Sequence, residues 1–478
     1  MDKNGLVYGV KDKPGFWKTI VFALQQVLAI LAATIVVPVI INENTADLFA
    51  DGDLAFVSNM SQSAALFGAG VGTIVYLLFT KFRSPVFLGS SFAFLGSMTA
   101  AFAGAVSASA GYLGIIIGAI LAGLVYVIIA VVVKYAGVNW INKIMPASVI
   151  GPAVAVIGLS LAGNAVGDLT KGAVATTNPY IALLCGLVTL GTVIACSVYG
   201  KKMMKIIPFI IGIAAGYVVA SIFTLIGELA DVPELVVINF RLFKDMQWYP
   251  EFTFIEAFKG FKGFSGSYFV TVLVAYVPVA FVVFAEHLAD HKNISTIIGS
   301  DLTVDPGLHR TLLGDGVGSM VGAFFGGCPN TTYGESVGCV AISRNASVVT
   351  IFTAAIICML ASFIAPFVTL LATIPSCVMG GVCFTLYGFI AVSGLKMIQK
   401  VDLNENRNLF TVSVILIAGV GGLVLNIGKV TITAVACALI LGILVNVLTA
   451  KAAKPEEKCE CGCECDCECK CDKEEKTE

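Results

Sequence analysis

The stretch Cys328–Arg344, CPNTTYGESVGCVAISR, lies in an apolar part of the chain but is unsuited to one continuous helix. Pro329 has no backbone N–H group and Gly334 is a poor helix former, so the residues between them are expected to be extended. Extended backbone at membrane depth is tolerated only where protein or a wet cavity pairs its polar groups. A helix is expected to begin near Ser336, with its free N–H groups facing the same cavity. Glu335 lies at this junction, either as a ligand contact or merely as a carboxylate that caps the helix.

The composition around this stretch is that of a membrane protein. Of the 478 residues, 58% are apolar and 13% are charged, and the mean hydropathy is +0.92. Soluble domains carry roughly 25% charged residues, so lipid must be the main solvent of this chain. Apolar runs long enough to cross a bilayer lie near 18–41, 62–80, 112–133, 147–164, 179–198, 206–228, 268–289, 311–327, 346–373, 377–396, 409–426 and 430–449.

Two further apolar segments, 85–103 and 329–343, are shorter or broken by Gly, Ser, Thr and Pro. Basic residues in short loops mark the cytoplasmic side of a membrane protein. In this chain all the basic loops lie on the same side of the membrane only if both broken segments cross it. The alternative, that both segments are loops outside the membrane, breaks this charge pattern. The basic groups are Lys11, Lys13 and Lys18; Lys81 and Arg83; Lys201, Lys202 and Lys205; Lys292, His309 and Arg310; and Lys396, Lys400 and Arg407.

The sequence therefore predicts an all-α polytopic protein of about fourteen spans, with both termini cytoplasmic, in the cell membrane. The longest outer loop, 229–265, divides the chain into seven spans plus seven spans, which makes the two halves inverted repeats. Each broken segment is then the third of its half. Interrupted segments at matching positions of two repeats indicate the binding site of a secondary transporter.

A second carboxylate is expected inside the bilayer, in Phe281–Asp290, FVVFAEHLAD. Glu286 ends a long apolar run, and a charge at a helix centre costs about 2.5–3.5 kcal/mol on insertion scales. Asp290 lies one helical turn later on the same face, so both are candidates for proton coupling. The alternative places Glu286 at a solvated cytoplasmic helix end, among His287, Asp290 and His291. The three histidines of the chain, His287, His291 and His309, are all expected near cytoplasmic ends.

The first broken segment contains Pro85–Gly96, PVFLGSSFAFLG, in which Phe92 follows small and flexible residues. Its ring could stack on a flat ligand, although an isolated Phe of this kind is more often part of a core. Extended strands, two carboxylates and a ring together suit a small planar heterocycle. Uracil presents two ring N–H donors and two carbonyl acceptors and therefore fits, but the residues alone leave other imides and purines open.

Four motifs resemble the nucleobase–ascorbate transporter family, in its bacterial uracil permease branch of uracil:proton symporters. They are AEH at Ala285–His287, DPGLHR at Asp305–Arg310, PNTTYGE at Pro329–Glu335 and GSSFAF at Gly89–Phe94. The resemblance implies import of uracil with a proton by alternating access, short strands in the third and tenth segments, and homodimers formed through gate domains. The implied ranges are 1–137 and 266–375 for a core domain, 138–228 and 376–450 for a gate domain, 229–265 for the outer loop and 451–478 for a cytoplasmic tail.

The resemblance also implies which residues bind substrate. They are Glu286 and Glu335 for the ring N–H groups, Phe92 with its amide and ring, Tyr333 and Gly334 with backbone groups, Ala33 as a pocket neighbour, and Tyr387 on the gate side. Three positions depart from the family pattern. Asp290 and Gln26 stand where a well-known member has His, and Ser336 replaces the Asn of the family signature.

The tail lies outside this resemblance. Seven cysteines alternate mostly with acidic residues there, at Cys459, Cys461, Cys463, Cys465, Cys467, Cys469 and Cys471. Repeated Cys-x-Cys can bind soft metals through thiolates, or the tail is a low-complexity segment with no fixed role.

Other functions remain open at this point: a xanthine or other purine permease, a sodium-coupled carrier, or an anion exchanger of the same fold. No pattern of a catalytic nucleophile, phosphate loop or histidine metal cluster is present, so we expect no enzyme activity, no cofactor other than the coupling ion and no nucleic-acid partner.

Overall fold

A computed structural model describes residues 6–46, 60–137, 139–201, 203–244, 246, 248–427 and 430–450. This part of the chain is mostly helical. The helices are α1 (Phe16–Thr45), α2 (Gln62–Phe79), α3 (Leu95–Ala103), α4 (Ala108–Ala136), α5 (Asn139–Ile144), α6 (Ala147–Ser160), α7 (Ala162–Asp168), α8 (Pro179–Tyr199), α9 (Met203–Ile206), α10 (Pro208–Ala230), α11 (Thr253–Ala257), α12 (Gly266–Ile298), α13 (Leu308–Gly326), α14 (Gly334–Ser343), α15 (Val348–Ala361), α16 (Ala365–Ala372), α17 (Ser376–Ile398), α18 (Asn406–Val420) and α19 (Ala434–Thr449). The strands are β1 (Leu88–Ser90), β2 (Asn330–Thr332), β3 (Leu425–Ile427) and β4 (Val430–Ile432).

Several long helices begin at a side chain that accepts a hydrogen bond from a backbone N–H two or three residues later. Such a cap pairs one of the N–H groups that the first helical turn leaves free. The capping residues are Ser61 of α2, Ser107 of α4, Asn178 of α8, Ser265 of α12 and Thr433 of α19.

The length of the helices agrees with a multi-pass membrane protein. Within the described ranges, eight helices are long and apolar enough to cross a bilayer, and the number is nine if the bent pair α15–α16 counts as one span. The sequence predicts about fourteen because it also counts the half-length helices α3 and α14, the short helices α18 and α19, and the more polar α13.

The expected interruption of 329–343 is confirmed. Helix α13 ends at Gly326. The next residue, Gly327, has a φ of +72°, which suits glycine best, and Pro329 then prevents a new helical turn. The strand β2 follows and pairs antiparallel with β1, with Leu88 opposite Thr332 and Ser90 opposite Asn330. Helix α14 begins at Gly334, two residues before the expected start.

The hairpin β3–β4 was not predicted. The sequence suggests apolar spans over 409–426 and 430–449, but α18 ends at Val420 and the chain then forms two short antiparallel strands. Gly422, with a φ of +70°, follows the end of α18 and favours the turn that stops the helix there.

The helices pack in two sets. Helix α13 packs against α2 and α4, and α12 against α3 and α4, while α17 packs against α6 and α8 and α10 packs against α8. The sets meet where α1 lies against α10 and α17, and where α12 lies against α6 and α19. The strands β1 and β2 lie in the first set, close to α1 and α12.

Candidate substrate-binding site

A cavity of about 400 Å³ lies between the two sets of helices, beside the strand pair. Its first wall comes from α1, the residues that follow β1, the strand β2, α12 and α14, and its second wall comes from α6, α8, α9, α10 and α17. The lining residues that carry polar or aromatic groups are Ser91, Phe92, Ser197, Lys205, Phe209, Glu286, Asp290, Thr331, Tyr333, Glu335, Phe389 and Ser393.

Two carboxylates face this cavity. Glu286 on α12 and Glu335 in the first turn of α14 are both half-buried, and they are close enough to interact electrostatically. Neither side chain accepts a hydrogen bond from another residue in the described part of the chain. Half-buried carboxylates with free acceptor atoms can accept hydrogen bonds from the N–H groups of a ligand.

Asp290 is held differently. It is 8% exposed, and its Oδ2 atom accepts a hydrogen bond of 2.9 Å from the Thr332 hydroxyl. This bond ties α12 to the end of β2. The buried position of Asp290, together with complete burial of His287, contradicts the alternative that Glu286 stands at a solvated helix end.

The two departures Gln26 and Ser336 contact each other. The Gln26 amide donates to the Ser336 hydroxyl, and the same hydroxyl accepts from the backbone N–H of Phe87 at 2.9 Å. One serine therefore connects α1, α14 and the residue before β1.

Phe92 lines the cavity, and its ring contacts the ring of Tyr387 edge-on at a centroid distance of 5.7 Å. Phe92 also lines a second cavity, of about 510 Å³, that contains Asn44 and Thr433. The Phe92 ring therefore stands between two cavities. Tyr387 does not line the first cavity itself.

Ala33 is 1% exposed on α1 and does not line the cavity, whereas Ala29, one turn earlier on the same helix, does. Gly334 lines the cavity, close to Asp290. Of the seven predicted substrate contacts, the structure thus brings five together around the cavity and leaves Ala33 and Tyr387 behind its wall.

Tyr333 braces the strand pair. Its hydroxyl donates to the Ser90 carbonyl at 2.8 Å, and its ring packs on Gly89, where an added Cβ would lie 2.3 Å from the ring. Gly89 is therefore required by this close approach.

Sequence reasoning missed two hydroxyl groups in the cavity wall. The Oγ atom of Ser91 and the Oγ1 atom of Thr331 are buried and have no partner among the described residues. Buried hydroxyls usually have partners, so these two groups are available to a ligand. Only the small, polar character of the two broken segments hinted at them.

Sequence reasoning also missed a buried polar network behind Glu286, because the histidines were expected at the cytoplasmic surface. The Nδ1 atom of His287 shares a hydrogen bond of 2.7 Å with Asp315, and its Nε2 atom one of 3.0 Å with Thr311. The Nε2 atom of His291 lies 2.7 Å from the Tyr76 hydroxyl. The signal for Asp315 was present, because it is a lone carboxylate in the apolar run 311–327.

The tail cysteines lie outside the described residues, so metal binding there stays a prediction. Among the residues that are described, no cluster of three or more His, Cys, Asp or Glu side chains could hold a metal ion.

The chain matches known proteins over most of its length. The model of the permease family matches residues 17–428. A uracil permease of Bacillus subtilis (strain 168) is 36% identical over 466 residues, which cover 95% of this chain and 98% of that one. A uracil permease of Escherichia coli (strain K12) is 33% identical over 455 residues, or 94% and 96% of the two chains.

Among solved structures, the transmembrane domain of the cyanobacterial bicarbonate transporter BicA is similar, with a TM-score of 0.56. The match covers 91% of this chain and 99% of that one at 15% identity, so it shows a common fold alone. The chain belongs to the permease family that comprises the nucleobase–ascorbate transporters, as its motifs predicted, and is a membrane transport protein rather than an enzyme.

Proposed function

We propose that this protein imports uracil together with protons, by alternating access. The observation that carries the proposal is the pair of carboxylates, Glu286 and Glu335, that face one cavity with no partner among the described side chains. The similarity to uracil permeases of two bacteria supports the choice of substrate.

The cavity suits the polar edges of uracil. Its two ring N–H groups can each donate to a carboxylate, and such charge-assisted bonds are stronger than neutral ones. The first residues of α14 have N–H groups without an acceptor within the helix, and these can donate to the uracil carbonyls. The Ser91 and Thr331 hydroxyls are available for further hydrogen bonds to the edge of the uracil ring. The Phe92 ring supplies an apolar surface for the face of the uracil ring.

The proposed movement separates a core domain, 1–137 and 266–375, from a gate domain, 138–228 and 376–450. The cavity extends to Lys205, on the side that the basic loops mark as cytoplasmic. On the other side, the Phe92 and Tyr387 rings meet, and the Ser376 hydroxyl donates to Glu43 at 2.6 Å. These contacts support a closed outer path and an open inner path.

We also propose the seven-plus-seven repeat. The order of elements supports it: α1, α2, β1–α3, α4, α6–α7, α8 and α10 in the first half correspond to α12, α13, β2–α14, α15–α16, α17, α18 and α19 in the second. In both halves a strand and a half-length helix form the third unit. With fourteen spans, both termini lie in the cytoplasm.

Protons are proposed to couple through Glu286 and Asp290, which lie one turn apart on α12. Glu286 faces the cavity freely, whereas Asp290 is held by Thr332. Glu286 is therefore the residue where substrate and proton meet, and Asp290 is the neighbour that receives or releases the proton.

Three alternatives to this proposal differ from it in the substrate or in the coupling ion. A xanthine or other purine permease remains the second candidate of the same class, and sodium is the alternative coupling ion. An anion exchanger suits the site less, because two free carboxylates in the cavity would repel an anion.

The decisive experiment measures uptake of labelled uracil and its competition by a panel of pyrimidines and purines. Uracil should compete most strongly, and uptake should collapse in Glu286→Ala and in Glu335→Ala. Glu251→Ala, an exposed carboxylate outside the cavity, is the matched control and should transport normally. Normal uptake in either cavity variant, or stronger competition by a purine, would refute the assignment.

We further propose a homodimer formed through the gate domains and binding of a soft metal ion by the tail thiolates. A purified tail peptide, residues 451–478, should take up Cu(I) under reducing conditions. A peptide that takes up none would end the metal proposal without affecting the transport proposal.

A further inference from the structure

A separate groove of about 400 Å³ lies at the start of α1, on the outer surface of the protein. It is lined by Val7, Tyr8, Trp17, Lys18, Val21 and Phe22. None of these residues lines the substrate cavity, so the groove requires a separate explanation.

One wall of the groove is the N-terminal strap, Leu6–Lys13, which backbone hydrogen bonds hold against the turn after α14. The N–H groups of Val7 and Tyr8 donate to the Arg344 carbonyl at 2.8 and 3.3 Å. The N–H of Ala346 donates to the Tyr8 carbonyl at 2.9 Å. Since backbone hydrogen bonds fix the strap in this way, the fold itself defines this wall of the groove.

The other wall is apolar and belongs to a candidate membrane span. Trp17 is 77% exposed and Val21 is 52% exposed on α1, so both face the surroundings of the protein. Phe22 contacts the Tyr8 ring edge-on, with a centroid distance of 6.0 Å. Exposed Trp at the end of a span is typical of the lipid–water boundary.

The mouth of the groove is basic. The Nζ atom of Lys18 donates to the Tyr8 hydroxyl at 3.3 Å, which leaves two of its three N–H groups free. Lys11 and Lys13 on the strap are exposed as well. The only acidic side chain of the strap, Asp12, accepts the Gly9 N–H at 2.7 Å.

We propose that this groove binds one phospholipid with an anionic headgroup. Its phosphate contacts the Lys18 ammonium and the Tyr8 hydroxyl, and an acyl chain lies along Val21 and Phe22. Charge complementarity selects the occupant, because basic residues at the membrane surface attract anionic lipid. Trp17 lies at the level of the headgroup.

Trp17 provides the readout, because the chain has only three tryptophans. Trp140→Phe with Trp248→Phe leaves Trp17 as the single tryptophan, which is excited selectively at wavelengths where tyrosine does not absorb. The protein is reconstituted in phosphatidylcholine vesicles that contain an increasing mole fraction of either brominated phosphatidylglycerol or brominated phosphatidylcholine. Brominated phosphatidylglycerol should quench Trp17 at about fivefold lower mole fraction, the preference expected for one lysine near a surface.

Lys18→Gln should abolish this preference, and Lys18→Arg should keep it. Lys400→Gln, an exposed cation outside the groove, should also keep it. Tyr8→Phe retains the ring contact with Phe22, so the protein stays folded while the preference decreases. A reference protein with Trp248 as its single tryptophan should show equal quenching by both lipids.

Equal quenching of Trp17 by both brominated lipids would overturn the proposal. So would an undiminished preference in Lys18→Gln, because the attraction would then come from the general surface charge. The readout requires no transport, so it is independent of the proposed function.

Discussion

Replacement of Glu335 by Gln should weaken uracil binding without unfolding the protein. Gln has nearly the same shape, but it turns a charge-assisted hydrogen bond of about 1.5–3 kcal/mol into a neutral one of about 1 kcal/mol. The loss of about 0.5–2 kcal/mol corresponds to an increase in Kd of about two- to thirtyfold. Glu335→Ala removes the bond altogether, so its Kd should increase further, up to about a hundredfold.

The structure explains why this effect should appear in binding alone. Glu335 accepts no hydrogen bond from another described residue, so the substitution leaves no protein donor unpaired. It also removes a half-buried negative charge near Glu286, and the thermal midpoint should therefore stay constant or increase.

Equilibrium binding of labelled uracil to the purified protein gives Kd, and thermal unfolding of the same sample gives the midpoint. Glu251→Gln, which changes an exposed carboxylate outside the cavity, is the control for both. An unchanged Kd in Glu335→Gln would refute the contact with uracil. A large fall in the midpoint would show instead that Glu335 holds the fold.

Three further predictions can be checked independently. Uracil uptake should increase as the outside pH falls and disappear with a protonophore, because inward proton flow drives it; uptake that follows a sodium gradient alone would contradict proton coupling. Gly89→Ala should destabilise the protein by about 1–3 kcal/mol, since the new Cβ would lie 2.3 Å from the Tyr333 ring. The control is Gly338→Ala, whose new Cβ meets nothing within 4 Å, and it should be neutral in the same thermal unfolding assay. Asp315→Asn weakens the hydrogen bond to His287 and should cost about 1–3 kcal/mol of stability; an unchanged thermal midpoint would show that the buried network does not support α12.

The sequence could predict those site residues whose side chains are unusual for their segment, such as a carboxylate within an apolar run. Glu286 and Glu335 were predictable because a carboxylate in an apolar run has a large desolvation cost. Asp315 carries the same signal in the run 311–327 and was overlooked. The Ser91 and Thr331 hydroxyls carry no comparable signal, because serine and threonine are common in membrane helices.

The histidines show where local patterns mislead. His287 and His291 follow an apolar run and precede Lys292, which favours a helix end at the membrane surface. In the structure α12 continues to Ile298, and both imidazoles are completely buried. Partners from α2 and α13 make this burial possible, and no pattern within 281–291 could indicate them.

The sequence by itself determined that lipid surrounds this chain, that 85–103 and 329–343 are interrupted, and that carboxylates lie near one interruption. These are local properties, set by hydropathy, by proline and glycine, and by the cost of burying a charge. Only the tertiary structure decided that β1 pairs with β2, that five of the predicted contacts surround one cavity, and that Ala33 and Tyr387 lie behind its wall. Such contacts join segments far apart along the chain, and packing between helices selects them, so no single segment encodes them.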